Sequence, residues 1–291
     1  MLERVKNCNL CGSTNYWPLF TVKKTVPIVK CSNCGLLYVT PRQVWEENKQ
    51  LYQTESYFKN ENILLYGYHN YIDEEFLYRP LFERRIKVLE KLKPEKGRVL
   101  DVGCAAGFFL DVAQSHGWKA QGVELSSFAA QYARDRFKLN IFNGTLMDAK
   151  LPDKFFDVVV MDDVIEHVFD PMAQLREAHR ILREGGVLTL NTPNAGGFLR
   201  KVMRRRWFHF KEDHVYYFSH ETIEKALKSA GFRLMAIKPS GKVVTMRYLF
   251  GRLNHYSRSL AHYLSKAFEN TGFIDKPFYL YIGEMVVYAR K

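Results

Sequence analysis

Arg98-Val-Leu-Asp-Val-Gly-Cys-Ala-Ala-Gly107 decides the fold. Val99-Leu100-Asp101-Val102 reads as a short strand buried on both faces, and the small residues after it turn tightly into the helical spacing Phe108, Phe109, Val112, Ala113. A carboxylate at a strand tip, a glycine-rich turn and a helix N-terminus therefore meet at one point. Gly103 and Gly107 leave no Cβ where a ligand must approach the backbone, while the N–H groups of the helix start favour an anion. The next strand, Lys119-Ala-Gln-Gly-Val-Glu124, ends in an acid that suits a ribose diol.

Working outward, strand and helix patterns alternate: helix 107–117, strand 119–124, helix 126–137, strand 140–143, strand 155–161, helix 171–183, strand 186–191, helix 219–231 and strand 232–239. This predicts an α/β fold, a doubly wound, mostly parallel sheet whose ligands sit beyond the carboxyl ends of its strands. Ser126 and Ser219 stand where N-caps belong, and Gly185-Gly186 reads as a stop before the next strand. Residues 43–95 have helical spacing rich in aromatics (Tyr52, Tyr57, Phe58, Tyr66, Tyr68, Tyr71, Phe76, Tyr78, Phe82) and end in the amphipathic run Arg84–Leu92. They read as a helical bridge or cap whose rings either partly cover the pocket or pack plainly on the sheet. Past Ser240-Gly241, Leu249, Leu253, Tyr256, Leu260 and Leu264 recur at helical spacing, so residues 243–272 read as a helical insertion, and as a lid, before a last strand Tyr281–Tyr288.

A chain of 291 residues, 47% of them hydrophobic, holds a core and an appendage. No uninterrupted apolar run reaches membrane-spanning length, and Met1-Leu-Glu-Arg-Val-Lys6 lacks the apolar stretch of a signal peptide, so a soluble cytoplasmic protein is expected. The net charge of +12 is concentrated: residues 1–45 hold six Lys/Arg and one acid, and residues 200–211 hold six Lys/Arg and none.

Cys8-Asn-Leu-Cys11-Gly12 and Cys31-Ser-Asn-Cys34-Gly35 are two C-x2-C knuckles separated by nineteen residues. The spacing fits a four-cysteine zinc ribbon over residues 1–42, with glycine after each second Cys permitting the turn that aims backbone N–H groups at sulfur. Disulfide pairing is the alternative, which an intracellular setting disfavours. Four thiolates leave no open position on the metal, so its role would be structural.

The G-x-x-x-G after Asp101 is neither the dinucleotide fingerprint nor a Walker P-loop, since no Gly-Lys-Ser/Thr follows. Together with Glu124 it resembles motif I of the class I S-adenosylmethionine (SAM) methyltransferases, a Rossmann-like family; the alternative is a ligand-free α/β turn. The resemblance implies that residues 96–291 form a SAM-binding core. In it Asp101, Gly103, Cys104, Ala105 and Gly107 surround the methionine part, and Glu124, followed by Leu125, holds the ribose hydroxyls. Gly144-Thr-Leu-Met-Asp148 would lie along the adenine with Leu146 against it, although Thr145 stands where the family commonly has Asp. Met161 and Asp162, at the end of the fourth core strand, would fall at the cofactor's edge.

Downstream, Asp163-Val-Ile-Glu166-His167 is similar to the E-x-x-E-H of ubiquinone-pathway O-methyltransferases, which the resemblance gives a divalent metal; here Asp shortens one arm. The i, i+3, i+4 spacing puts the three on one face of a helical turn, and the alternative is a hydrogen-bonded structural histidine. Thr192-Pro-Asn194, then Arg205-Arg-Trp-Phe-His-Phe-Lys211 and His214-Val-Tyr-Tyr-Phe-Ser219, resemble SAM methyltransferases that carry an N-terminal zinc ribbon and are often associated with modified sugars and cell-surface glycans. The resemblance covers nearly the whole chain. It implies a small-molecule or glycan acceptor under a substrate loop at 195–218, and because His214 and His167 would suit a hydroxyl, methylation on oxygen is expected. His214 is the first choice for touching the acceptor and taking its proton, with His167 beside it, because imidazole titrates near neutral pH; the alternative for His214 is a buried histidine that pins the loop. The arginines of 200–211 would meet phosphates of a nucleotide-linked or lipid-linked sugar. Other readings are an RNA methyltransferase using ribbon and basic patches, a quinone-type O-methyltransferase resting residues 200–211 on an anionic inner membrane surface, and a scaffold without catalysis.

Overall fold

A computed structural model describes residues 2–22, 25–53, 71–254, 257–269 and 271–291. The aromatics Tyr57, Phe58, Tyr66 and Tyr68 of the bridge, and Tyr256 of the insertion, lie outside the described residues. The chain opens with β1 (Leu2–Glu3), β2 (Tyr16–Val22), β3 (Val26–Cys31), β4 (Leu37–Val39) and β5 (Arg42–Gln43), in which β2, β3 and β4 pair antiparallel in sequence order. Helix α1 (Trp45–Gln53) and the long α2 (Glu75–Leu92) follow, and α2 packs Ile86 and Leu89 against the first helix of the core.

The core runs β6 (Arg98–Val102), α3 (Phe108–Ser115), β7 (Lys119–Glu124), α4 (Ser127–Phe137), β8 (Asn140–Asn143), β9 (Phe156–Asp162), α5 (Pro171–Ile181) and β10 (Leu182–Pro193). Short α6 (Phe198–Met203) and β11 (Tyr216–Tyr217) lead to α7 (His220–Ser229), β12 (Arg233–Val244), α8 (Met246–Leu253), α9 (Arg258–Glu269) and β13 (Phe278–Arg290). The large sheet has the order β12-β13-β10-β9-β6-β7-β8, parallel from β10 to β8 and antiparallel at β13. The chain moves outward from β6 through β7 to β8 and then returns to β9 on the other side of β6. A crevice therefore opens beyond the carboxyl ends of β6 and β9, where α/β sheets bind ligands.

Local chemistry explains the element ends. Ser126 Oγ accepts from Ala129 N at 3.3 Å to start α4, Asp170 caps α5 ahead of Pro171, and Ser219 with Thr222 forms a capping box on α7. Gly185-Gly186 does not stop anything: β10 begins at Leu182, which pairs with Phe156, and the glycines sit inside a register shift before Val187. They form an irregularity in the strand, since glycine in a strand often marks a bulge.

The ribbon is stitched to the core. Tyr216 and Tyr217 pair with Tyr38 and Leu37, so a strand from the segment before α7 completes the ribbon's sheet in the order β11-β4-β3-β2. Trp207, Phe210 and Tyr217 bury themselves against Val26, Ile28, Leu37 and Val39. Burial of such side chains is worth about 1.5–3 kcal/mol each, enough to hold the loop under the ribbon. Among the described residues no helix is long and apolar enough to cross a membrane.

Candidate functional site

A cavity of about 690 Å3 lies over the ends of β6, β7 and β9. The glycine turn forms one end. Gly103, Ala105 and Gly107 all have positive φ, at 73°, 48° and 81°, which folds the backbone between β6 and α3 into a tight arch. Glu124 holds this arch from the neighbouring strand: Ala105 N donates to its Oε2 at 2.8 Å, and Ser126 N donates to its Oε1 at 2.7 Å.

Asp101, Gly103, Cys104, Ala105, Glu124 and Leu125 line the cavity, as do Leu146 and Asp162. Gly107 and Met161, expected beside the cofactor, do not. A Cβ on Gly107 would meet Leu139 and Ala133 at 2.7 and 2.8 Å, so this glycine serves the helix packing behind the arch. Met161 points to the opposite face of β9 from Asp162, into the hydrophobic core, because strand side chains alternate.

Burial, reinforced by the charges of Asp162 and Glu124, pushes the Asp101 carboxyl well above the usual carboxylate range. Burial also raises Asp162 against the pull of Arg85, whose Nη1 donates to Asp162 at 2.7 Å and to Thr189 at 3.1 Å. Glu124 is raised by burial in spite of its backbone donors. Asp101, Asp162 and Glu124 make this end of the cavity rich in acids, with Arg85 paired to Asp162, a complement to a cationic ligand such as a sulfonium.

The bridge supplies much of the opposite wall. Trp45, Tyr52, Tyr71, Tyr78 and Phe82 line the cavity, and Tyr71 stacks on Phe108 with ring centroids 5.3 Å apart. Further along, Asp163, just past β9, comes together with Asn191, Lys242 and Glu284 of β10, β12 and β13. Sequence reading missed Arg85, Asn191, Lys242 and Glu284. Glu284 did carry a signal, a lone acid in the apolar run of β13; nothing local marks Lys242.

His167 lines this part of the cavity. Its Nδ1 lies 3.0 Å from both the Asp213 carbonyl oxygen and the Tyr52 hydroxyl. A carbonyl only accepts, so Nδ1 carries the proton and Nε2 is the basic atom. Burial lowers the His167 pKa in spite of Asp213, keeping the ring neutral.

His214 does not reach the cavity wall. It is 3% exposed, does not line the cavity, and lies behind His167 with ring centroids 4.6 Å apart in an edge-on contact. No residue of 195–218 lines the cavity, nor does any described residue of 243–272, so the loop expected over the acceptor does not overhang this cavity and the described part of the insertion supplies none of its wall. The reason is the ribbon: its apolar face recruits the aromatic run of 207–217 that the sequence reading had assigned to substrate. Arg204, Arg205 and Arg206 sit on the outer surface, in a short turn without buried residues.

The i, i+3, i+4 set is corrected as well. Asp163 turns to Asn191 and Lys242, and Glu166, His167 and His214 are the side chains whose potential ligand atoms lie within 4.8 Å of one another. Glu166 is buried, accepts from Thr192 Oγ1 at 3.0 Å, and is pushed well up by burial. The sulfurs of Cys8, Cys11, Cys31 and Cys34 also lie within 4.8 Å of one another, with Cys8 3.6 Å from Cys34 and Cys11 3.5 Å from Cys31. The spacing is too long for S–S bonds and fits the edges of a tetrahedron about one ion.

A family model described as a methyltransferase domain matches residues 73–237, more than half of the chain. Over 97 residues the chain is 35% identical to a probable S-adenosylmethionine-dependent methyltransferase of Mycolicibacterium smegmatis, covering 33% of this chain and 38% of that protein. It is 31% identical over 117 residues to a ubiquinone biosynthesis O-methyltransferase of Coxiella burnetii, covering 38% and 50%. The matches thus span half or less of the length of these curated relatives. A SAM-dependent methyltransferase from Archaeoglobus fulgidus superimposes with a TM-score of 0.53 at 19% identity, over 76% of this chain and 99% of that one, and so shares its fold.

Proposed function

From the premise that the chain belongs to the methyltransferase-domain family, a class I SAM-dependent family, we propose that it moves a methyl group from SAM to a hydroxyl of a small-molecule or glycan acceptor. The observation that carries this reading is one continuous cavity running from the Asp101/Glu124 arch to His167. The residues suit the cofactor: an acid-rich end for its charged groups, and the Glu124 carboxylate beside the arch for its ribose. Bound there, SAM supplies an electrophilic methyl group on sulfur. The chain's own part is to hold the acceptor in line, exclude water and take the acceptor's proton.

His167 Nε2 is the proton acceptor in this reading. Asp213 and Tyr52 fix its ring, and His214 braces it from behind as a positioning residue. The four N-terminal cysteines hold a structural Zn2+, and β4 and β11 connect that ribbon to the loop bearing Asp213. One zinc per chain is expected in the purified protein by elemental analysis.

The test is labelled methyl transfer from SAM into fractionated cell extract. Wild type should label a small hydroxylated compound, and His167→Ala should lose about 10²–10⁴-fold in rate while its adenosylhomocysteine affinity is kept. Unchanged turnover in that variant removes His167 from the chemistry. A second reading rests on the surface around α6: Phe198 and Val202 are 75% and 61% exposed beside Lys201 and Arg204–Arg206, which suits contact with an anionic bilayer. Cosedimentation with anionic but not neutral liposomes would support it.

A further inference from the structure

We infer that Asp163, Asn191, Lys242 and Glu284 form the acceptor-recognition site, and that it takes two neighbouring hydroxyls of a neutral polyol such as a sugar ring. The inference rests on the methyltransferase reading and adds to it the residues that choose the acceptor.

Asp163 follows β9 and the other three lie in β10, β12 and β13, yet the four side chains form one network on the cavity wall. Asn191 Nδ2 donates to Asp163 Oδ1 and to Glu284 Oε2, each at 2.9 Å. Lys242 Nζ lies between the same two acids, 3.5 Å from Asp163 Oδ2 and 3.6 Å from Glu284 Oε1. Both carboxylates face Asn191, so its amide can only be oriented with nitrogen toward them. That orientation leaves Asn191 Oδ1 buried and without a hydrogen-bond partner in a residue only 7% exposed. A buried acceptor in this state is costly, and a ligand that brings a donor relieves it.

Charge narrows the ligand further. Within the network itself two acids meet one ammonium, which disfavours a phosphate or carboxylate as the group seated directly on it and opposes ionisation of a phenol there. Aliphatic hydroxyls stay neutral. Each both donates and accepts, matching a wall that offers carboxylate and amide oxygens beside an ammonium whose contacts to both acids are long. Asp163 and Glu284 are also held apart in acidity. Burial raises Glu284 beyond what Lys242 offsets, whereas the charge of Lys242 and the amide of Asn191 outweigh enclosure at Asp163 and lower it. Tyr78 and Tyr279 complete the wall, with the Arg84 guanidinium 5.4 Å from the Tyr279 ring centroid, and give an apolar surface for the carbon face of a ring.

The experiment is saturation-transfer NMR on full-length protein loaded with adenosylhomocysteine. The probes are methyl α-D-mannopyranoside, methyl β-D-glucopyranoside and methyl α-L-rhamnopyranoside, with catechol and cyclohexanol as comparators. At least one glycoside should give transfer that neither comparator displaces. In Glu284→Gln and in Lys242→Met, its affinity should fall about tenfold or more while adenosylhomocysteine affinity by calorimetry stays within about twofold, which also shows that the variants are folded. Silent glycosides, preference for catechol, or glycoside binding that survives both changes would overturn the site. Failure of wild type to bind adenosylhomocysteine would instead overturn the methyltransferase reading beneath it.

Discussion

The two ends of the cavity are built from different materials. At the Asp101 end, shape comes from backbone: three alternate turn positions, Gly103, Ala105 and Gly107, at positive φ, and two main-chain N–H groups tied to Glu124, all within a short stretch of chain. At the Lys242 end, shape comes from side chains on or just past four strands and from a histidine whose support, Asp213, belongs to a loop stitched to the ribbon. A backbone arch fits a constant ligand and tolerates little change. A side-chain wall can be rebuilt one residue at a time, and so suits the end at which we propose that the acceptor is chosen.

The sharpest break in that contrast is expected from Glu124→Leu. It leaves the N–H groups of Ala105 and Ser126 without their acceptor, at about 1–3 kcal/mol for each buried donor. Adenosylhomocysteine affinity should drop by about 10²-fold or more with a lower melting temperature, read by calorimetry and thermal denaturation. Arg42→Met comes next. The buried Arg42 guanidinium lies 4.0 Å from the Phe169 ring centroid and donates to Tyr216 Oη at 3.3 Å, joining the ribbon to a cavity residue. Its loss should cost about 1–3 kcal/mol in chemical denaturation and slow turnover, while adenosylhomocysteine binding is little changed. A large loss of that binding would show that the two ends are not separable.

The same contrast explains what could be read from the sequence. The arch is local: Asp101, the glycines and Glu124 sit within about one βαβ unit, so their spacing alone points to the geometry, and Ser126 and Ser219 announce caps for the same reason. Trp207, Phe210 and Tyr217 carry no mark of their partner, because Val26, Ile28, Leu37 and Val39 are remote in sequence. A buried aromatic anchor and a substrate-facing aromatic have the same composition. His214 is buried among them, as the loop-pinning alternative expects, whereas Lys242 gains its meaning only from a strand pairing that brings Gly241 and Lys242 against Tyr281 and Leu280, above Glu284.

The smallest expected effect is a pH dependence confined to the arch end. Asp101 is raised by burial and by its neighbours' charges, so as pH falls toward its raised value it takes up a proton before an ordinary Asp would. SAM carries a sulfonium charge that adenosylhomocysteine lacks, and that charge favours the ionised carboxylate. Binding of SAM therefore lowers the Asp101 pKa, and linkage makes SAM affinity rise with pH until the free protein's Asp101 is fully ionised, then level off. Below that point the decline is at most about tenfold per pH unit for one group. The ratio of SAM to adenosylhomocysteine affinity, measured by calorimetry from about pH 5 to 9, should rise and flatten in wild type and stay flat in Asp101→Asn. A ratio that is constant in wild type would mean that the sulfonium does not sense Asp101, and that the acid-rich end serves the amino group or ribose alone.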